Sequence, residues 1–61
     1  MMNSSLGSRI AELRRKKNMT QEDLANALGV TPQAVSKWEN GTSDPSTSNL
    51  CALAKLYGIP V

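Results

Sequence analysis

The stretch that decides the fold is residues 20–41, TQEDLANALGVTPQAVSKWENG. Thr20 is a helix N-cap residue, and Asp23 stands three positions later, which is close to a capping box. This placement makes Glu22 and Asp23 first-turn acids rather than catalytic carboxylates. Leu24, Ala25 and Leu28 then form an apolar face, and Gly29 ends the helix because glycine readily adopts the left-handed backbone. The stretch therefore opens with one short helix.

A second helix follows almost at once. Thr31 is a second N-cap candidate, and Pro32 suits the first helical position because it needs no backbone N–H. This helix runs to about Glu39, and Asn40-Gly41 ends it. Two short helices joined by about three residues predict a helix–turn–helix.

Apolar spacing places one further helix on each side of this unit. Leu6, Ile10 and Leu13 predict a buried face on the first helix, with Asn18 as its end. Leu50, Leu53, Ala54 and Tyr57 predict the buried face of the last helix, with Cys51 a partly buried small hydrophobe beside it. The sequence predicts an all-α bundle of four helices, at about 6–17, 20–28, 32–39 and 47–57, after a flexible tail at 1–5.

The composition excludes several functional classes. The chain has 61 residues, one Cys and no His, so it cannot form an internal disulfide, a His/Cys zinc site or a His-dependent triad. We therefore expect no catalytic residue, no metal, no cofactor and no enzymatic activity. No apolar run approaches the roughly 18 residues of a membrane span, and no signal peptide is evident. We expect a cytoplasmic protein without a membrane partner.

Charge is unevenly distributed along the chain. The net charge is +2, but residues 1–19 carry five Lys or Arg against Glu12, whereas residues 20–61 are net acidic. Most of this excess lies at the end of the first helix, where cations suit the helix dipole. A solvated basic face and a surface for an anionic partner remain open at this point.

The third helix has two chemically different faces. The apolar face holds Ala34, Val35 and Trp38. The polar face holds Gln33, Ser36, Lys37 and Asn40. Gln pairs with adenine, Lys with guanine or phosphate, and Ser with either, so this face suits a DNA major groove. It also suits plain solvent exposure, because these residue types are common on surfaces.

Several short motifs stand at matching positions in one known family. They are Leu13-Arg14, Met19-Thr20-Gln21, Leu24-Ala25, Gly29-Val30-Thr31-Pro32, Val35-Ser36-Lys37-Trp38-Glu39-Asn40-Gly41 and Leu53-Ala54. With this spacing the chain resembles the Cro/CI-type helix-turn-helix, also called XRE or lambda-repressor-like, from about Leu6 to Val61. The resemblance implies a five-helix domain that binds double-stranded operator DNA, usually as a homodimer. The fifth helix would then be missing after Val61, so the dimer contact would involve helix four and a missing C-terminal region.

The resemblance also implies roles for individual residues. Those at base-reading positions are Gln33, Ser36 and Lys37. Those at phosphate-binding positions are Arg14, Gln21, Asn40, Thr42 and Ser43, to which the helix start at Thr31 adds its backbone N–H groups. Those with structural roles are Ala25 at the helix crossing, Gly29 in the turn, Val35 and Trp38 in the core, and the Arg14–Glu39 pair. Two positions depart from the family pattern: Pro32 replaces a DNA-contacting Gln of some relatives, and Thr47 replaces an apolar residue.

Two functional hypotheses remain. The first is sequence-specific DNA binding by a bacterial or phage transcriptional regulator, with a repressor as the expected type and helix 32–39 in the major groove. The second is a protein-interaction module, such as an antitoxin or adaptor, that uses the same fold. The salt dependence of binding to random duplex DNA separates them, because phosphate neutralisation makes affinity fall steeply with salt. The operator, the regulated genes and the direction of regulation do not follow from the sequence.

Overall fold

The computed structural model describes residues 6–59, which form four α-helices and no strand. The helices are α1 (Leu6–Lys16), α2 (Gln21–Leu28), α3 (Pro32–Glu39) and α4 (Thr47–Tyr57). The all-α prediction is confirmed. Each bound lies within one residue of the range expected from the sequence. The tail at 1–5 and the last two residues, 60–61, lie outside the described residues.

Local capping interactions begin α2 and α3. The Thr20 hydroxyl accepts from the Asp23 backbone N–H, and the Asp23 carboxylate accepts from the Thr20 N–H, both at 2.9 Å. This is the reciprocal capping box, which satisfies two otherwise unpaired donors. The Thr31 hydroxyl accepts from Ala34 N–H at 3.2 Å, and Pro32 occupies the first position of α3. Gly29, with φ +72°, closes α2 between them. The turn is therefore specified by residues that lie within it.

The core surrounds α3. Leu24 of α2 and Val35 of α3 are fully buried, and they pack with Ile10, Trp38 and Leu53. α3 packs against both α1 and α2, and α4 packs against α2. Ala25, the predicted small residue on α2, is also fully buried. One face of α3 is thereby fixed in the core, which determines the direction in which its other face points.

The buried face of α1 differs from the sequence prediction. Leu6 is 42% exposed and Leu13 is only half-buried, whereas Gly7, Ile10 and Ala11 are buried. The reason is close helix approach: a Cβ built on Gly7 would lie 2.1 Å from the Trp38 carbonyl oxygen. Only glycine fits at position 7, where α1 meets the end of α3, so the buried face runs through Gly7, Ile10 and Ala11 and leaves Leu6 outside.

The expectation for Cys51 on α4 was wrong. Leu53 and Ala54 are buried and Tyr57 is half-buried, but Cys51 is exposed because it lies outside this stripe on the solvent side. Thr47, which departs from the family pattern, is also exposed, so its hydroxyl is not buried in the core.

Candidate nucleic-acid interface

The polar face of α3 is presented to solvent. Gln33 and Lys37 are exposed and Ser36 is half-buried, while Val35 and Trp38 on the opposite side are buried. Asn40 follows directly after the helix and is exposed. Because these polar residues are spaced i, i+3, i+4 and i+7, they form one continuous stripe. The fold thus brings the three predicted base-reading residues together on the free side of a docked helix.

Arg14 and Glu39 form the pair that the resemblance implies. Arg14 Nε donates to Glu39 Oε2 at 2.7 Å, and Arg14 Nη2 donates to Glu39 Oε1 at 3.1 Å. The side chains are only 12% and 9% exposed, respectively. Arg14 is also well placed for burial, because it continues the Gly7–Ala11 face of α1 by one turn. A bidentate, largely buried ion pair therefore joins α1 to the last residue of α3.

Two neighbouring residues complete this arrangement. Arg14 Nη1 donates to the Met19 carbonyl at 2.9 Å, which fixes the turn between α1 and α2. The Met19 sulfur, in turn, accepts from the Tyr57 hydroxyl of α4 at 3.8 Å. The ion pair between α1 and α3 is thereby connected to α4 through Met19.

Gln21, a predicted phosphate ligand, is bonded to the same carboxylate. Its Nε2 donates to Glu39 Oε1 at 3.0 Å. Because a carboxylate only accepts hydrogen bonds, the amide nitrogen must face Glu39. Gln21 Oε1 and the second N–H of Nε2 then remain for other partners. Gln21 is the first residue of α2, so this amide lies at the helix end that favours anions.

The ionisation of the pair follows from these contacts. Burial raises the pKa of Glu39, but the hydrogen bonds from Arg14 and Gln21, with the charges of Arg14 and Arg15, outweigh it and lower the pKa overall. The hydrogen bond to Glu39 raises the pKa of Arg14. Burial also raises the pKa of Tyr57. At neutral pH the pair is fully ionised and its charges compensate each other.

The positive charge available to a partner lies beside this pair. Arg15, Lys16 and Lys17 are exposed at the end of α1. Arg15 is close enough to Glu39 to help lower the pKa of that carboxylate. The first turn of α2 also carries the exposed acids Glu22 and Asp23, which moderate this positive field.

The loop after α3 orients Asn40. Asn40 Oδ1 accepts from the Thr42 backbone N–H at 3.0 Å and from the Thr42 hydroxyl. The amide nitrogen of Asn40 is left as the outward donor. Thr42 uses both of its donors within the loop, and its N–H and that of Ser43 also meet the Lys37 carbonyl. Thr42 therefore orients Asn40 through both its backbone N–H and its hydroxyl.

Comparison with known proteins assigns the family. The family model for helix-turn-helix proteins matches residues 10–61. The chain belongs to the helix-turn-helix family. Its resemblance to Cro/CI-type regulators of the XRE group is confirmed.

Named relatives of this helix-turn-helix chain are regulators. It is 43% identical over 54 residues to the HTH-type transcriptional regulator DicA of Escherichia coli (strain K12), covering 88% of this chain and 40% of DicA. It is 37% identical over 54 residues to the cryptic phage CTXphi transcriptional repressor RstR of Vibrio cholerae, covering 88% of this chain and 49% of RstR. The chain thus spans half or less of the length of these two relatives.

Solved structures of similar shape include one bound to DNA. The P22 c2 repressor in complex with a synthetic operator superposes with a TM-score of 0.88 at 33% identity, covering 95% of this chain and 88% of that one. The solution structure of the P22 c2 DNA-binding domain superposes with a TM-score of 0.87, also at 33% identity, covering 98% of this chain and 79% of that one.

Two features are absent from the described part of this helix-turn-helix chain. Among residues 6–59, no group of three His, Cys, Asp or Glu side chains is arranged to hold a metal ion. In the same range, no helix is both long enough and apolar enough to cross a membrane.

Sequence reasoning missed three contacts of this region. They are the approach of Gly7 to α3, the bond from Arg14 to the Met19 carbonyl, and the bond from Gln21 to Glu39. Gly7 carried a usable signal, since glycine within a predicted helix often marks a close approach. The other two join residues through side-chain positions that spacing does not reveal.

Proposed function

We propose that this chain is the DNA-binding head of a transcriptional regulator and that α3 enters the major groove. The exposed polar stripe of α3 carries the proposal, because its opposite face is locked in the core by Val35 and Trp38. The operator complex of the P22 c2 repressor, which superposes on this chain, supports the same assignment. A helix held in this way can enter the major groove as a rigid unit.

The chemistry of the stripe suits base edges. The Gln33 amide can pair bidentately with adenine N6 and N7, and the Lys37 ammonium can donate to guanine O6 and N7. Ser36, between them on the face, can bond to a base or a phosphate. Pro32 offers no side-chain donor at the start of the helix, so we assign discrimination to Gln33 and Lys37.

Phosphate contacts would surround the stripe. Gln21 and Thr31 stand at the two helix starts, where backbone N–H groups and the dipole favour anions. Asn40 offers its amide nitrogen, and the Ser43 hydroxyl lies in the same exposed loop. Arg14 would donate to phosphate through the guanidinium N–H groups that Glu39 and the Met19 carbonyl leave free. The exposed cations Arg15, Lys16 and Lys17 would supply the non-specific attraction.

The regulatory role and the assembly are part of the proposal. The relatives RstR and DicA are named a repressor and a regulator, and we assign this chain to a repressor-like role in a bacterium or phage. A homodimer would engage two half-sites about 10 bp apart. Its contacts would involve α4. The site of action would be the cytoplasm, where bacterial DNA lies.

Selection of duplex DNA from a random pool tests the proposal. We expect one recurrent motif. For the selected duplex, the logarithm of the binding constant should fall with the logarithm of the salt concentration with a slope of about −4 or steeper, as for roughly four to five neutralised phosphates. A control duplex with scrambled motif should bind more weakly but keep a steep slope. A pool without a motif, together with a shallow slope, would favour the protein-interaction module instead.

A further inference from the structure

We infer that Glu39 is a positioning residue for DNA binding, because its carboxylate fixes the polarity of the Gln21 amide at the start of α2. Gln21 would then meet DNA with Oε1 and one N–H, while the other N–H stays on Glu39. The inference rests on the proposed function and adds to it a role for an acidic residue whose carboxylate is already occupied by Arg14 and Gln21.

The geometry permits one orientation of the amide. Glu39 Oε1 accepts from Gln21 Nε2 at 3.0 Å and from Arg14 Nη2 at 3.1 Å, while Oε2 accepts from Arg14 Nε at 2.7 Å. A flipped amide would place Gln21 Oε1 against a carboxylate oxygen, and neither atom can donate. The Glu39 side chain is only 9% exposed, so water has little access to compensate. An ordinary surface glutamine has no such constraint.

The same carboxylate also connects the two DNA-facing elements. Glu39 is the last residue of α3, and Gln21 is the first residue of α2. Arg14 holds Glu39 from α1 and is itself held by the Met19 carbonyl. The position of the Gln21 amide relative to the reading stripe is therefore set before DNA arrives, which lowers the ordering cost of binding.

The substitution Glu39→Gln separates positioning from charge. It removes one negative charge from a chain of net charge +2, so electrostatics alone predicts tighter binding to DNA. A glutamine at this position can turn its own oxygen to Arg14 and its NH₂ toward Gln21. The Gln21 amide would then reverse, with its oxygen facing inward. Positioning therefore predicts weaker binding in spite of the favourable charge.

A thermodynamic cycle measures the effect. The probe is the duplex selected by the wild-type chain, and the variants are Glu39→Gln, Gln21→Ala and their combination. Glu22→Gln is the charge control, because Glu22 is exposed, adjacent to Gln21 and outside the network. We expect Glu39→Gln to weaken binding roughly two- to tenfold, corrected for the folded fraction. We expect Glu22→Gln to bind the duplex as tightly as wild type or more tightly. We expect Gln21→Ala to lose less DNA affinity when Glu39→Gln is already present than it loses in the wild-type chain.

Side-chain resonances provide a test that does not depend on variant folding. In ¹⁵N-labelled wild-type chain, DNA should shift one Nε2 proton of Gln21 and leave the proton bonded to Glu39 nearly unchanged. Three results would overturn the positioning role while leaving DNA binding intact. The first is an equal shift of both protons, and the second is additive effects of the two substitutions in the cycle. The third is a Glu39→Gln variant that binds DNA as tightly as Glu22→Gln. Failure of the wild-type chain to select any duplex would overturn the proposed function, and with it this inference.

Discussion

Removing the Glu39 carboxylate should destabilise the domain far more than removing an exposed acid. In Glu39→Ala, Arg14 loses both of its bonds to the carboxylate and keeps only the Met19 carbonyl. Gln21 loses its acceptor as well. A guanidinium that is 12% exposed is then left without a counter-charge. The cost therefore comes from a stranded cation as much as from the lost attraction.

The magnitude follows from the burial of the pair. Exposed pairs contribute about 0–1 kcal/mol, whereas breaking a buried pair costs about 3–5 kcal/mol. Exposures of 12% and 9% place this pair nearer the second case, so we expect about 2–4 kcal/mol. A domain of 61 residues has a total stability of about 3–9 kcal/mol. At about 4–8 °C per kcal/mol, Tm should fall by roughly 8–32 °C.

Urea unfolding measures this cost directly. Trp38 is the one tryptophan and is 5% exposed, so its fluorescence reports exposure of the core on unfolding. Far-UV circular dichroism provides a second probe, because Trp38 is adjacent to the substituted residue. Glu12→Ala, an exposed acid on α1, is the matched control and should cost less than about 0.5 kcal/mol.

A double-mutant cycle isolates the pair itself. Arg14→Met keeps most of the apolar stem and removes the charge, and combining it with Glu39→Ala removes the stranded cation. The double variant should be more stable than the sum of the two single losses by about 1–3 kcal/mol. A Glu39→Ala variant as stable as the Glu12→Ala control would refute the reasoning, since the pair would then behave as a surface pair.

Three further predictions concern the same region. Folding lowers the pKa of Glu39, so the stability that its ionised carboxylate gives the domain is complete above the ordinary pKa of 4.5 and is lost as the pH falls through the lowered pKa of the folded state. The difference in unfolding free energy between wild type and Glu39→Gln, measured in urea, should therefore shrink in acid. Gly7→Ala should destabilise by about 1–3 kcal/mol, although alanine normally favours a helix, because its Cβ meets the Trp38 carbonyl; equal or higher thermal stability would contradict this close approach. Thr42→Val should weaken binding to selected and random duplexes by the same factor, roughly two- to fivefold, because Asn40 loses an orienting bond to a phosphate-directed amide. A loss confined to the selected duplex would assign Thr42 to base reading instead.

The sequence predicted those parts of the fold that depend on neighbouring residues. The capping box at Thr20 and Asp23, the N-cap at Thr31 and the left-handed Gly29 act within a few residues, so their side-chain chemistry could be recognised directly. The buried face of α1 could not be read in the same way. Its packing is decided by how closely α3 approaches, and that distance selects Gly7 and Ala11 over Leu6.

The candidate site shows a similar division. The polar stripe of α3 follows from helical spacing, and the Arg14–Glu39 pair, 25 residues apart, was accessible only through the family resemblance. The bond from Gln21 to Glu39 depends on side-chain orientation across three helices, so no local pattern encodes it. Cys51 is the opposite case: its place beside an apolar stripe predicts partial burial, but its side chain is exposed.

Gln33→Ala is the substitution that tests base reading by the exposed face of α3. Affinity should be measured for the selected duplex and for its single-base-pair variants, with wild type and Gln33→Ala side by side. We expect Gln33→Ala to lose about 1–3 kcal/mol of discrimination at one base pair and little at the others. An equal loss of affinity for every duplex, with discrimination unchanged, would contradict it.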